Sequence, residues 1–258
     1  PYQLSVRDQQ SLENLKQGRN EMNLENKVAI VAGGARDIGR AVSEKLAAEG
    51  AKVVVNYCNS VSDGEATLKS ITDAGGEAIL VKGDMTVKED VDNLVKAAQD
   101  AYGETIDILV NVVGGLVARK PLAEMDQEFF EHVLRLNVTS TFLTTQSVAP
   151  HMASGGSIVN LASQAGRDGG GPGAAAYATS KGAAMTFTRA MAKELGPRNI
   201  RVNCVCPGMI STTFHDTFTA DEVRANVAAG TPLRREGVSE EVAELVSYLA
   251  SPGASFIN

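Results

Sequence analysis

Tyr177 and Lys181 stand four residues apart in a segment with helical patterning, so they share one helix face. A tyrosine hydroxyl donates a proton to a carbonyl oxygen or takes one from an alcohol. Its ordinary pKa of about 10 is high for base chemistry near neutrality, and a nearby ammonium favours the phenolate. Ser163 lies upstream at the end of an apolar run, where its hydroxyl could orient a substrate oxygen and stabilise charge there. The same spacing also suits an ordinary surface helix. The elements around the pair decide between the two.

Those elements alternate. Strand candidates are KVAIVAG from Lys27, KVVVNY from Lys52, AILVKGD from Ala78, IDILVNVVG from Ile106, GSIVNLAS from Gly156 and IRVNCVCPG from Ile200. Helical patterns cover Arg40–Glu49, 62–74, Glu89–Ala101, about Asp126–Met152 with one break near Pro150, Tyr177–Leu195, Ala220–Ala229 and Ser239–Ala250. Ser239 is placed to cap the last of these. Strands separated by helices of this length predict βαβ units, and near-continuous apolar strands predict a parallel sheet covered on both faces. The fold class is therefore α/β, a single doubly wound domain over 26–258 after an N-terminal extension over 1–25. A substrate loop is expected at about 209–235. No strand is evident after Ala250, so a final strand, if the fold uses one, lies beyond Asn258.

The first strand runs into AGGARDIGRA and then a helix. Gly33, Gly34 and Gly39 in that connection would let backbone approach a pyrophosphate, and the helix start favours anions. The second strand ends Asn56-Tyr57, with no acid for an adenosine ribose, while Arg36 could reach a 2′-phosphate; together these lean towards NADPH over NADH. Asp84 follows the third strand, where it could face the adenine or serve as a turn residue. Asn111 and Gly114-Gly115 close the fourth. All four strand ends converge on one crevice, where open α/β sheets bind ligands.

Composition narrows the partners. The chain has 258 residues and a formal net charge of -7, with no basic run longer than two residues, which argues against nucleic acid. No apolar run approaches a membrane span and no signal peptide is visible, so a cytoplasmic location is expected. Cys58, Cys204 and Cys206 are too few and unevenly placed for a disulfide framework, and with three scattered histidines they supply no metal site. Cys204 and Cys206 are read as small buried apolar residues on one strand face.

From Asn23 onward the chain resembles the short-chain dehydrogenase/reductase family. AGGARDIG stands where the family has Thr-Gly-x-x-x-Gly-x-Gly, NVVG at 111–114 where it has Asn-Asn-Ala-Gly, and CPGMIST at 206–212 in its Pro-Gly segment. Asn137, Ser163, Tyr177 and Lys181 occupy its four catalytic places. The resemblance implies a Rossmann-like domain that reduces a carbonyl, or oxidises a secondary alcohol, with NADH or NADPH. Tyr177 would be the proton donor in reduction. Lys181 would lower its pKa and hold the nicotinamide ribose, Ser163 would position the carbonyl, and Asn137 would hold a relaying water. Cofactor contacts would come from Gly33, Ala35, Arg36, Asp37, Ile38, Gly39, Asn56, Tyr57, Asp84, Met85, Asn111, Val112 and Gly114, and on the nicotinamide side from Pro207, Gly208, Ile210 and Thr212. A homotetramer or homodimer through helices 126–152 and 177–195 is implied as well.

Two departures stand out. Asp37 replaces the middle glycine, and a carboxylate near a pyrophosphate is unfavourable unless it turns away or pairs with Arg36 or Arg40. Val112 replaces an asparagine of the cofactor wall. Around the site, GGLVARKP carries Arg119 and Lys120, the glycine-rich 163–177 stretch carries Gln164, and the 211–223 stretch carries Thr213 and His215. Arg119, Lys120, Gln164 and His215 are the substrate-binding candidates, with the two cations suited to a carboxylate. These stretches are similar to reductases of the keto-deoxy uronate, an α-keto aldehyde acid, in alginate breakdown. A 3-oxoacyl-thioester reductase, a sugar or polyol dehydrogenase, and a non-catalytic dinucleotide-binding sensor or scaffold are the alternatives.

Overall fold

Short β-branched runs become strands and longer amphipathic segments become helices, one helix between successive strands up to β4 and more than one after it. The computed structural model describes residues 23–258. The extension expected over 1–25 falls almost wholly outside them, and of its last residues Leu24 is buried in the core, its N–H bonded to the Glu49 carbonyl. The order is β1 (Val28–Ala32), α1 (Asp37–Ala48), β2 (Lys52–Tyr57), α2 (Val61–Asp73), β3 (Glu77–Lys82), α3 (Lys88–Tyr102) and β4 (Ile106–Asn111). Then come α4 (Gln127–Leu134), α5 (Ser140–Val148), β5 (Met152–Leu161), α6 (Ala165–Asp168), α7 (Ala175–Leu195) and β6 (Arg201–Val205). The chain continues through α8 (Thr213–Phe218), α9 (Asp221–Gly230) and α10 (Ser239–Ala250).

The six strands form one sheet in the order β3-β2-β1-β4-β5-β6, every pair parallel. Successive residues of a strand point to opposite faces. Val31 and Val53 accordingly enter a cluster with Leu46 of α1 and Val246 of α10. Ile30 and Val54 enter a second cluster with Leu94 of α3, Val148 of α5 and Leu195 of α7. Helices therefore cover both faces, and the fold is the expected Rossmann-like α/β sandwich. The strand order reverses at β1, so the crevice lies between the ends of β1 and β4.

Three local expectations are corrected. The helix read over 126–152 is divided twice. A π turn at Arg135–Thr139 separates α4 from α5, and the helix ends at Val148, so β5 starts at Met152. Hydroxyls explain the π turn: Ser140 donates to the Leu136 carbonyl (2.6 Å) and Thr141 to that of Asn137 (3.1 Å), competing with the main-chain ladder. Ser239 is inside α10 rather than its cap; the Val238 N–H ahead of it donates to Glu241 (3.0 Å). Finally, α6 and α8 are helices of four and six residues where loops were expected, too short to print a period on the sequence.

A buried polar chain ties the sheet to the helices that carry the site. Thr144 donates to Asn111 Oδ1 (2.7 Å), Asn111 Nδ2 to Asn160 Oδ1 (2.8 Å), and Asn160 Nδ2 to Thr188 Oγ1 (2.9 Å). It spans α5, β4, β5 and α7. All four side chains are buried, so each bond also spares a buried group from going unpaired, and the helix registry is fixed.

Candidate active site

Tyr177 and Lys181 of α7, Asn137 of the π turn and Ser163 after β5 come from three places in the chain and meet at the ends of β4 and β5. Lys181 is 4% exposed and its ammonium donates to the Leu161 carbonyl at the end of β5 (2.7 Å). It stands 5.8 Å from the centre of the Tyr177 ring. Gly114 lies between this ammonium and Asn137: a Cβ there would sit 2.9 Å from Lys181 Nζ and collide with Asn137 Oδ1. Asn137 spends its whole amide on structure. It accepts from Gly115 N–H (3.0 Å) and donates to the carbonyls of Gly115 and Val133 (both 2.9 Å). Any water-holding by this residue therefore falls to its main-chain carbonyl, which also accepts from the Thr141 hydroxyl (3.1 Å) and keeps one lone pair.

The electrostatics differ from the simplest expectation. Burial pushes the Tyr177 phenol above its ordinary range, and a hydrogen bond with Ser163 pulls it back part of the way. Burial lowers the Lys181 ammonium to about 8, with Cys206 opposing. Both groups are desolvated, and desolvation favours the neutral form of each. The arrangement holds Tyr177 as a neutral hydroxyl, the form that donates a proton.

At the other end of the crevice, Gly33 has φ of 80° and its N–H donates to Asn56 Oδ1 (3.0 Å). Asn56 is buried and passes its amide on to the Gly83 carbonyl (3.1 Å), so it shapes the turn from beneath. Gly39 faces the Gly33 carbonyl oxygen, which a Cβ would strike. Ala35 is buried and Ile38 half-buried. Tyr57 and Val112 pack against the α1 side of the core. Asp84 folds into a turn, accepting from Thr86 N–H (2.9 Å), while Met85 is buried. Asp37 has φ of 51°, which explains why glycine suits this place, and its carboxylate turns away to Thr213 on α8.

The mouth is covered by the 209–235 segment. Phe214 of α8 lies 5.8 Å from Tyr177, ring centre to ring centre, with Phe218 5.2 Å beyond it. His215 bonds Thr219 Oγ1 (3.0 Å), and burial, then Arg224, lowers its pKa. Arg119 donates to the carbonyls of Phe218 (3.0 Å) and Pro172 (3.1 Å), joining the lid to the glycine-rich loop. Lys120 turns to Asp126 (3.5 Å) and the Phe129 ring (4.5 Å). The N–H of Gln164 donates to the Pro207 carbonyl (2.9 Å), which sets the 163–164 turn against the Pro207-Gly208 segment. Thr212 Oγ1 donates to the Ile210 carbonyl (3.1 Å), and Ile210 bridges to Gly237. The free cysteines Cys204 and Cys206 are half-buried rather than buried: Cys204 lies on β6, the edge strand of the sheet, and Cys206 just beyond its end.

The sequence profile of the family described as enoyl-(acyl carrier protein) reductase matches residues 33–258. A 3-oxoacyl-[acyl-carrier-protein] reductase of Synechocystis is 39% identical, over 89% of this chain and 92% of its own. Similar solved structures include a short-chain dehydrogenase/reductase from Serratia marcescens, with 36% identity, TM-score 0.86, and coverage of 91% of this chain and 94% of that one. A short-chain dehydrogenase from Burkholderia cenocepacia, solved with NADP, shares 33% identity at TM-score 0.84, covering 92% and 95%. This chain is a short-chain dehydrogenase/reductase. It is an NAD(P)-dependent oxidoreductase acting on carbonyl and alcohol groups.

In this reductase the residues present fit a dinucleotide. A Cβ at Gly33 or Gly39 would press on Val113 N–H or strike the Gly33 carbonyl, so glycine is what lets the strand-to-helix turn close this tightly, the turn by which main-chain N–H groups meet a pyrophosphate. Gly39→Ala is therefore expected to weaken NADPH binding by about a hundredfold or more, measured by nucleotide fluorescence, with the melting temperature as a check on folding. Phe214 is the site residue that sequence reasoning passed over. Phe214 and Phe218 are spaced i, i+4, which gives a shared face once α8 is known to be helical. Among the described residues no cluster of His, Cys, Asp or Glu could hold a metal, and no helix is long and apolar enough to cross a membrane.

Proposed function

We propose that this enzyme reduces a 3-oxoacyl thioester with NADPH, Tyr177 giving the proton to the ketone oxygen. The observation that carries it is Phe214 against Tyr177, with Arg119 already committed to two main-chain carbonyls. An aromatic lid suits an apolar acyl chain, and the similarity to the Synechocystis enzyme points the same way. A bound NAD(P)H supplies the hydride. Ser163 and Tyr177 orient the carbonyl, and the raised phenol pKa suits reduction over oxidation. Lys181 holds the ribose, and the Asn137 carbonyl holds the water that returns a proton towards Lys181. The wall of the nicotinamide side is Pro207, Gly208, Ile210 and Thr212. The chain works as a homo-oligomer through α4, α5 and α7, where Phe142 is exposed beside Phe187.

The competing substrate is the keto-deoxy uronate. Its carboxylate would need Arg119 to leave the Phe218 and Pro172 carbonyls, or Lys120 to leave Asp126. The deciding assay follows NADPH oxidation with acetoacetyl-CoA, the keto-deoxy uronate and neutral sugars side by side. Highest kcat/KM on the thioester supports the proposal, and highest kcat/KM on the uronate or a sugar replaces it. Turnover on none of them, with NADPH bound, favours a dinucleotide sensor.

NADPH is preferred on this reading because the Arg36 side chain is 60% exposed beside the acid-free end of β2. Arg36→Ala is expected to raise the Kd for NADPH about tenfold more than that for NADH. Equal loss for both would remove Arg36 from the 2′-phosphate.

A further inference from the structure

We propose that Asp37 is a positioning residue that latches the lid to the dinucleotide loop, so that cofactor binding and lid closure reinforce one another. The contact joins residues far apart in sequence. Asp37 Oδ1 accepts from the Thr213 N–H (3.1 Å) and Oδ2 from its hydroxyl (2.6 Å). The same hydroxyl accepts from Arg36 Nη1 (3.4 Å), and Arg36 Nε lies 3.9 Å from the Asp37 carboxylate.

Asp37 keeps a left-handed backbone (φ 51°) at which glycine is the unstrained residue. A side chain is retained there, and it is engaged with the lid. Thr213 is the first residue of α8, and Phe214, the next, covers Tyr177. The far end of α8 is tied by Arg119 to the Phe218 carbonyl, and its middle is braced by Arg224, which pairs with Asp216 (2.6 Å) and with Glu236. Asp37, with the longer Arg36 contact beside it, ties the lid to the cofactor side.

The coupling has a definite sign. With the lid open, Asp37 keeps only the Arg36 guanidinium (3.9 Å) beside it and loses both Thr213 donors, so more of its charge faces the pyrophosphate at this loop, and like charges repel. With the lid closed, two donors from Thr213 and the neighbouring guanidinium take up that charge. An anionic cofactor therefore favours the closed lid, and by reciprocity the closed lid favours the cofactor. The first departure of the glycine-rich loop thus becomes a link between the two halves of the site.

Amide hydrogen exchange over residues 213–219, with and without NADPH, tests this without requiring a substrate. In the wild type NADPH is expected to slow exchange there by about tenfold, the scale of one charge-assisted hydrogen bond. Asp37→Gly, which suits the backbone, should reduce that protection to within twofold and speed NADPH release by about tenfold. Thr213→Val keeps the N–H and should give part of each effect. Added to Asp37→Gly, it should give no further loss, because the two act through one contact. With the carbonyl compound turned over fastest, KM should rise more than kcat falls. A purely structural Asp37 would lower the melting temperature and leave the exchange ratio intact. That outcome, or additive losses in the double variant, overturns the latch.

Discussion

Tyr177→Phe is expected to lower kcat by roughly 10²–10⁴-fold, the usual weight of a positioned proton donor, and to leave the Kd for NADPH within about twofold. The substitution removes one oxygen from a half-buried ring and keeps the packing against Phe214. The nearest other hydroxyl is that of Ser163, which already accepts from the Ala165 N–H (3.2 Å) and has an alcohol's reluctance to give up a proton. In the proposed mechanism it orients the carbonyl and does not replace the phenol as acid. Steady-state rates with the best carbonyl substrate and a fluorescence titration with NADPH separate the two effects. A rate within tenfold of wild type would remove Tyr177 from proton transfer, and a large loss of NADPH affinity would assign it to binding instead.

The framework of the site was legible in the sequence because it rests on strong local signals. β-branched runs marked the strands, and KVVVNY was delimited to the residue as β2. What escaped were consequences of tertiary contact. Asn56 reads only as part of a strand end that lacks a ribose-binding acid, and its hold on Gly33 from below needs the folded turn. Arg119 looked like a free cation because its loop is polar, yet two carbonyls from distant segments occupy it. The π turn that carries Asn137 depends on hydroxyl back-bonds that no period reveals. Asp37 was legible as an anomaly, since a carboxylate at that place must turn away from a phosphate. Its partner was not, because Thr213 lies on a helix too short to show a pattern.

These misses share a cause that bears on the substrate. A side chain's type fixes what it can bind, and only its neighbours fix whether it is still free to do so. The cations of the 114–121 loop are engaged by main-chain carbonyls and by Asp126. Phe214 of α8 packs on Tyr177, and Phe218 packs on Phe214. The balance of the mouth therefore moves from carboxylate recognition towards apolar contact.

Lys181→Met is expected to stabilise the protein while impairing the enzyme. Burial holds the ammonium at about 8, against 10.5 for a free lysine, which corresponds to roughly 3 kcal/mol of unfavourable burial. Methionine fills a similar volume without a charge. It leaves the Leu161 carbonyl without its donor, which offsets about 1 kcal/mol. A net gain of about 2 kcal/mol at pH 7 should raise Tm by about 4–8 °C. The sign with pH follows from the two protonation states. Between pH 8 and 10.5 the unfolded chain holds the lysine proton and the folded chain does not, so wild-type stability rises across that window. Methionine binds no proton, so its advantage should be full below pH 8 and vanish towards 10.5. For the same variant, the Kd for NADPH should rise about tenfold and kcat should fall, because the ribose contact proposed for the ammonium beside Gly114 is lost. A Tm that drops at pH 7, or an advantage that grows with pH, would mean that the ammonium is held by attraction and not endured against burial. Paired with unchanged NADPH affinity, that result would leave Lys181 as a support for the end of β5 alone.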